Sequence, residues 1–321
     1  MRRRFLKAAA GLPVALSIPA FAAFPERPIV LIVPYAPGGM GSTFGNLMSE
    51  QLTPLLGQKV VVDYKPGANG GIGAALVAKA PADGYTLLMA VNSTMAINPN
   101  LYAKLPYDPI KDFAAVSMVF TNANILVVNA ASSARSVADL IAQAKANPGK
   151  LSYGSSGNGA TPQLCGEMVK FIAGTDAVHT PYKGNGPALV GLMGGQIDFM
   201  FADTSSLPHI AAGKLRGLAV TAPKRLAVAP QLPTLEEEGR KGFVVTTWYS
   251  LAAPAGTPAD AVNRLAQAVG EVVRSPAGRA RMKDIGVEPA EDTSARYLDE
   301  TIRSDLAKWK TIIAQTGIRV D

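Results

Sequence analysis

Two glycine-rich stretches, residues 36–42 and 155–161, hold the residues of this chain that are best suited to bind an anion. The first follows an apolar run typical of a buried strand and the second a short strand pattern, and each precedes a helix pattern, with Ser42 or Thr43 placed to cap the first helix and Thr161 the second. Small residues let a ligand approach the backbone N–H groups, and the helix dipole favours negative charge there. We call residues 36–42 the first turn and residues 155–161 the second loop. The second loop carries no charged side chain, which suits a carboxylate ligand and not a metal ion.

Asp203 is the most informative acidic residue, because it directly follows the apolar run of residues 197–202. A carboxylate at the carboxyl end of a strand is placed to accept a hydrogen bond from a ligand or a water. It is equally well placed to cap the next helix, and the sequence leaves both interpretations open. Structural or surface roles are expected for His179, His209, Lys183, Trp248 and Tyr249.

Two enzyme classes share parts of these motifs. A serine hydrolase elbow, Gly-x-Ser-x-Gly, would need glycine at position 158, where Asn158 stands, so this class is disfavoured. A dinucleotide-binding turn is the stronger alternative, because Gly39, Gly41 and Gly45 follow a strand and Asp63 ends the next strand, where a ribose-binding acid is expected. The glycine spacing differs from the G-x-G-x-x-G fingerprint. An exported dinucleotide-dependent oxidoreductase is therefore the alternative function, and a released nicotinamide in the absorbance spectrum of denatured protein would identify it.

Composition limits the function classes further. The chain has 321 residues, 48% of them hydrophobic, which is enough for two domains. The net charge is +7, but the first seven residues supply four of the positive charges, and the remaining 7 − 4 = +3 does not indicate a nucleic-acid partner. The single cysteine, Cys165, excludes an internal disulfide, and two histidines without a Cys-x-x-Cys pair predict no metal site.

Residues 1–22 have the layout of a cleaved export signal: a basic start, an apolar run over residues 8–19 and the small-residue sequence Ala20-Phe21-Ala22. The segment Arg2-Arg3-Arg4-Phe5-Leu6-Lys7 also resembles the twin-arginine export motif, although the general secretory route stays open. No later segment is long and apolar enough to span a membrane. We therefore expect cleavage near Ala22 and a soluble mature protein in the periplasm.

Strand and helix patterns alternate along the chain, which predicts an α/β fold with parallel strands. Ligands of such sheets bind outside the carboxyl ends of the strands, where the first turn and residues 92–94 are expected. The strand–glycine–helix pattern occurs twice, which favours two lobes. We expect residues 23–122 plus 245–321 in lobe 1 and residues 123–244 in lobe 2.

Several short motifs together resemble one family, the periplasmic substrate-binding proteins of tripartite tricarboxylate transporters, of the Bug/TctC type. The motifs are Pro34-Tyr35-Ala36-Pro37-Gly38-Gly39, Pro66-Gly67-Ala68, Asp83-Gly84-Tyr85-Thr86-Leu87-Leu88, Ala96-Ile97-Asn98-Pro99, Tyr153-Gly154-Ser155-Ser156-Gly157, Pro181-Tyr182-Lys183-Gly184 and Gly194-Gly195-Gln196-Ile197-Asp198-Phe199-Met200. The resemblance implies a two-lobed Venus flytrap fold, each lobe a mainly parallel sheet flanked by helices, with two chain crossings. It also implies a monomeric receptor, not an enzyme, that has no cofactor and delivers a small carboxylate to membrane permease subunits.

The resemblance places the ligand carboxylate between the first turn and the second loop, held partly through backbone and water. Together with the residue patterns, it gives the expected ligand-binding set: Tyr35, Ala36, Gly38, Gly39, Met40, Gly41, Ser42, Asn92, Ser93, Ser155, Ser156, Asn158, Gly159, Thr161, Pro181, Tyr182 and Asp203. Members of the family usually carry an aspartate where this chain has Ser42, and an arginine near Asn46 and Leu47. The sequence therefore predicts the ligand class but not the particular acid.

Overall fold

The computed structural model describes residues 24–316, whose strands form two separate sheets. The strands are β1 (Ile29–Val33), β2 (Val60–Tyr64), β3 (Thr86–Val91), β4 (Phe113–Ala123), β5 (Ile125–Asn129), β6 (Ser152–Ser155), β7 (Val178–Pro181), β8 (Phe199–Ala202), β9 (Leu215–Val220), β10 (Thr246–Pro254) and β11 (Glu288–Pro289). The α-helices are α1 (Met40–Leu56), α2 (Gly71–Ala78), α3 (Asn98–Leu101), α4 (Val137–Ala146), α5 (Thr161–Ala173), α6 (Asn185–Met193), α7 (Leu207–Ala211), α8 (Ala259–Arg274), α9 (Pro276–Asp284) and α10 (Ala295–Thr316). Single helical turns cover Ala68–Gly70, Ser93–Ile97 and Thr204–Ser206.

Both sheets mix parallel and antiparallel strands. In the first sheet, of order β11-β4-β10-β3-β1-β2, β1 runs parallel to β2 and β3, whereas β10 is antiparallel to β3 and β4. In the second, of order β7-β6-β8-β5-β9, β6 runs parallel to its neighbours and β5 antiparallel to both of its own. The predicted two-lobed α/β class is confirmed, but mainly parallel sheets were the wrong expectation. Strands β5 and β10, which each begin just after a chain crossing, run against their neighbours, and local sequence patterns do not reveal this.

The chain passes from the first sheet to the second at Asn124, the single residue between β4 and β5. It returns near residue 245, where the Val245 N–H donates to Thr221 O (3.0 Å) just before β10 begins. The last helix, α10, also joins the two halves, because Trp309 and Ile313 share an apolar cluster with Phe243. The lobe limits expected from the sequence stay a proposal.

The starts of three helices show which capping rules hold. Ser136 caps α4 as its residue type and position suggest, accepting the Asp139 N–H at 3.1 Å. The caps predicted at Ser42, Thr43 and Thr161 are wrong, since α1 is preceded by Gly39 and α5 by Ala160, and neither start has a side-chain cap. The two helix starts expected at the ligand site therefore lack the local cap that Ser136 gives to α4.

Aromatic packing holds the carboxyl ends of the first sheet in place. The ring centroids of Phe44 and Phe120 lie 5.7 Å apart, and those of Phe120 and Tyr249 lie 5.0 Å apart. Tyr249 therefore has the expected packing role.

None of the helices in residues 24–316 is of a length and apolarity that would let it cross the bilayer. The predicted export signal, residues 1–22, lies outside the described residues.

Candidate functional site

A pocket between the two sheets, which we call the cleft pocket, brings the first turn and the second loop together. Its lining includes nine of the expected residues: Tyr35, Ala36, Gly39, Met40, Gly41, Ser93, Ser156, Thr161 and Asp203. It also includes six that the sequence analysis did not single out as ligand-binding residues: Val91, Asn124, Pro162, Asn185, Thr247 and Tyr249. The N-terminal turns of α1 and α5 thus reach one pocket from opposite lobes.

Asp203 joins the two lobes at this pocket. It is 6% exposed, and its Oδ2 accepts the backbone N–H of Met40, the first residue of α1, at 2.9 Å. Its Oδ1 accepts the Ser205 N–H at 3.0 Å and is also bonded to the Ser205 hydroxyl. The capping interpretation is therefore confirmed, and the same carboxylate has a further partner in the other lobe. Contact of Asp203 with a ligand stays a prediction.

The first turn packs closely against the start of α6. The Ala36 N–H donates to Lys183 O at 3.0 Å, and a Cβ built at Gly39 would lie 2.9 Å from the Asn185 Cβ. A Cβ at Gly186 would lie 2.5 Å from Pro37 O, so this approach requires glycine. Within the turn, the Ser42 hydroxyl accepts the Gly38 N–H at 2.9 Å. The two lobes therefore touch directly over the pocket.

The two serines of the second loop have different environments. Ser155 is fully buried, donates to Gly157 O at 2.9 Å and lies 2.6 Å from Nε2 of His179, whereas Ser156 lines the cleft pocket. Burial lowers the pKa of His179 to about 4, so the ring is neutral near pH 7. His179 lies half-buried in β7, so its expected loop or surface position is wrong; His209 is partly exposed in α7. Ser155 thus anchors the second loop through its hydrogen bonds, and Ser156 lies at the wall of the cleft pocket.

None of the described residues that the first lobe contributes to the cleft pocket is charged. Behind this wall, Asn92 accepts the Ser93 N–H at 3.0 Å and the Thr161 hydroxyl at 3.4 Å, and donates to Thr246 O at 3.3 Å. Burial raises the pKa values of Tyr35 and Tyr249, and the nearby Asp203 carboxylate raises that of Tyr249 further. Both phenols therefore stay protonated at neutral pH. This wall offers hydrogen bonds without positive charge.

A second, adjoining pocket shares Tyr35 and Ser156 with the cleft pocket. It contains the expected residues Asn158, Pro181 and Tyr182, together with Asn69 and the exposed Lys183. Five expected residues belong to the linings of neither pocket: Gly38, Ser42, Asn92, Ser155 and Gly159.

Asp63, the acid of the dinucleotide alternative, pairs with Lys65 at 3.1 Å and also lines neither pocket. Within the described residues, no His, Cys, Asp and Glu side chains cluster as a metal site would require.

Comparison with known proteins identifies the family. The family model of the tripartite tricarboxylate transporter family receptor, TctC, matches residues 46–318. The chain belongs to this receptor family. The receptor is 34% identical over 305 residues to Protein BugT of Bordetella pertussis (strain Tohama I), covering 92% of this chain and 91% of BugT. It is 35% identical over 322 residues to the UPF0065 protein in the tcbD-tcbE intergenic region of Pseudomonas sp. (strain P51), covering 98% and 94% of the two chains.

Solved structures agree with this assignment over nearly the whole receptor. A periplasmic transporter superposes with a TM-score of 0.90 at 40% identity, covering 93% of this chain and all of the other. The periplasmic binding protein BugD gives 0.89 at 32% identity, covering 92% and 99%. The R. palustris protein Rpa4515, solved with adipate, gives 0.89 at 34% identity with the same coverage. The Bug/TctC resemblance in the sequence is confirmed.

Proposed function

We propose that this receptor binds a small organic carboxylate in the cleft pocket and delivers it to the membrane permease of a tripartite tricarboxylate transporter. The observation that carries the proposal is the convergence of two helix N-termini on one pocket between the lobes: that of α5, and that of α1, whose first N–H is bonded by Asp203. Backbone N–H groups and the helix dipole favour an anion at such a position. The adipate of Rpa4515 supports a carboxylate as the ligand class.

In this proposal the second loop makes most of the bonds to the carboxylate. Ser156 and Thr161 offer hydroxyl groups at the pocket, and the start of α5 offers N–H groups. A hydrogen bond to a charged partner contributes about 1.5–3 kcal/mol. The first turn then closes over the ligand, with the Ala36–Lys183 and Met40–Asp203 bonds holding the two lobes together. The hinges lie at Asn124 and near residue 245, where the chain crosses between the sheets.

We further propose that the mature receptor acts as a monomer in the periplasm, after removal of residues 1–22. N-terminal sequencing of the periplasmic fraction should begin at Ala23. An intact Met1 in the membrane fraction would contradict this part of the proposal. Delivery to a permease is tested separately, by ligand uptake in cells with and without the receptor.

The binding proposal is tested by a thermal-shift screen of organic acids, with adipate included, followed by calorimetry on the best acid. Thr161→Ala should weaken binding about tenfold, because it removes a hydroxyl group that hydrogen-bonds the charged ligand. Thr311→Ala is the matched control, since Thr311 is exposed on α10 and its hydroxyl donates to the local Ala307 O. A screen in which no carboxylate binds would refute the proposed function.

A further inference from the structure

We infer that the cleft pocket selects an acid with a single carboxylate and a neighbouring hydroxyl or amino group, and discriminates against a dicarboxylate of the same length. The inference rests on the proposed carboxylate binding and adds the chemistry of the rest of the ligand. Three features of the pocket carry it: the position of Asp203, the absence of positive charge from the lining, and two buried amide atoms without partners.

Asp203 already supplies a negative charge at one end of the pocket. Its carboxylate accepts the N–H of Met40 at the start of α1, where a ligand anion would otherwise bind. It also lines the pocket and is almost completely buried. A second ligand carboxylate at this end would approach a like charge in a partly desolvated site, where screening by salt is weak. The start of α5 is then the anion site that remains for the ligand.

The pocket lining gives a second carboxylate no compensating charge. Among the described residues that line the cleft pocket there is no lysine, arginine or histidine. The lining of the adjoining pocket includes one such residue, Lys183, and it is exposed. A single carboxylate is balanced by N–H and hydroxyl donors, whereas a short dianion would bury an unpaired charge.

Two amides of the lining define what accompanies the carboxylate. Asn185, 7% exposed, has a buried Oδ1 with no hydrogen-bond partner among the described residues, and Asn124, 3% exposed, has such an Nδ2. Buried polar atoms are normally paired, because an unmade hydrogen bond destabilises the protein. A ligand oxygen satisfies Asn124 Nδ2, whereas Asn185 Oδ1 requires a donor. An O–H or N–H next to the ligand carboxylate supplies one.

Three acids with the same four-carbon skeleton test the inference by calorimetry at pH 7. Malate replaces the terminal methyl of 2-hydroxybutyrate by a carboxylate, and butyrate lacks its hydroxyl. We expect 2-hydroxybutyrate to bind about tenfold or more tightly than either. Malate or butyrate binding as tightly as 2-hydroxybutyrate would overturn the inference, as would binding of adipate with none of the monocarboxylates. If no acid binds at all, the proposed function itself fails.

Two variants identify the residues responsible. Asp203→Asn should lower the ratio of the affinity for 2-hydroxybutyrate to that for malate. Asn185→Ala should lower the ratio of the affinity for 2-hydroxybutyrate to that for butyrate. Each ratio compares the affinities of two ligands for the same variant. A general weakening of lobe closure lowers both affinities and therefore leaves the ratio unchanged. Asp63→Asn removes an exposed carboxylate paired with Lys65 away from the pocket, and should leave both ratios unchanged. Ratios that do not respond to Asp203→Asn would contradict the role of Asp203.

Discussion

The first turn and the second loop share one local design but have different partners in the folded protein. Both follow a parallel strand, both contain glycines, and both end at a helix start without a side-chain cap. The start of α1 is occupied by the receptor's own Asp203, and the turn before it packs on Gly186. The start of α5 faces the pocket with Ser156 and Thr161. Equal local chemistry therefore gives one helix start that the protein itself occupies and one that faces the pocket, where we propose that the ligand binds.

The substitution with the largest expected effect on ligand affinity is Gly186→Ala. The added Cβ would lie 2.5 Å from Pro37 O and 2.8 Å from Gly38 Cα, both in the opposite lobe. The clash arises when the first turn lies over α6, so we expect ligand affinity to fall about 100-fold. Calorimetry measures the affinity, and thermal unfolding shows that each lobe stays folded.

Gly71→Ala is the matched control for this substitution. Gly71 also lies in the first turn of a helix, α2, where a Cβ would find its nearest atom at an ordinary 3.5 Å. Affinity should stay unchanged in this variant. A Gly186→Ala receptor that binds as tightly as the unmodified chain would show that the first turn does not close over α6 when ligand is bound.

Ser156→Ala and Ser42→Ala compare the two elements directly. Ser156 lines the pocket, so losing a hydroxyl that bonds a carboxylate should weaken binding about tenfold. The Ser42 hydroxyl accepts the Gly38 N–H within its own turn, so its loss should weaken binding by about threefold or less. Calorimetry on the same acid measures both variants. Equal losses would mean that the ligand contacts both elements through side chains.

Sequence patterns predicted the parts of this site that depend on neighbouring residues. Strand patterns followed by glycines located both strand–turn–helix units, and Ser136 three residues before Asp139 predicted the start of α4. The missed residues arise from long-range pairing. Tyr249 reaches the pocket because β10 pairs with β3 and places it opposite Val91, far away in sequence. No local pattern encodes this antiparallel register or the mixed sheets that result from it.

Asn185 and Asp203 show the same limit at the scale of single side chains. Asp203 has the sequence position of a helix cap, and it does cap the turn at Thr204–Ser206. Its bond to Met40, 163 residues earlier in the chain, depends on the lobes meeting. Asn185 enters the pocket because it is the first residue of α6. The side chains that distinguish the two elements are thus fixed by tertiary contacts.

The smallest expected difference between the second loop and the first turn is in the pH dependence of the free energy of unfolding. His179 lies 2.6 Å from the Ser155 hydroxyl, faces Glu167 and Lys170, and has a pKa lowered to about 4 by burial. An unfolded chain has a histidine pKa near 6.5, so between pH 6.5 and pH 4 the unfolded state binds a proton that the folded state does not. The free energy of unfolding should therefore fall as the pH drops through this window. Because the ring is partly exposed, we expect a loss of about 1 kcal/mol between pH 7 and pH 5.

Urea unfolding of the receptor and of His179→Gln at both pH values isolates this contribution. Glutamine keeps an N–H able to reach Ser155 but does not titrate, so the variant should lose about 1 kcal/mol less than the unmodified receptor on acidification. Ser42 and its Gly38 partner in the first turn have no titratable side chain, so Ser42→Ala should show the unmodified pH dependence. If the histidine and glutamine forms respond identically to pH, the pKa of His179 is the same in the folded and unfolded states. The second loop would then not be distinguished from the first turn by pH.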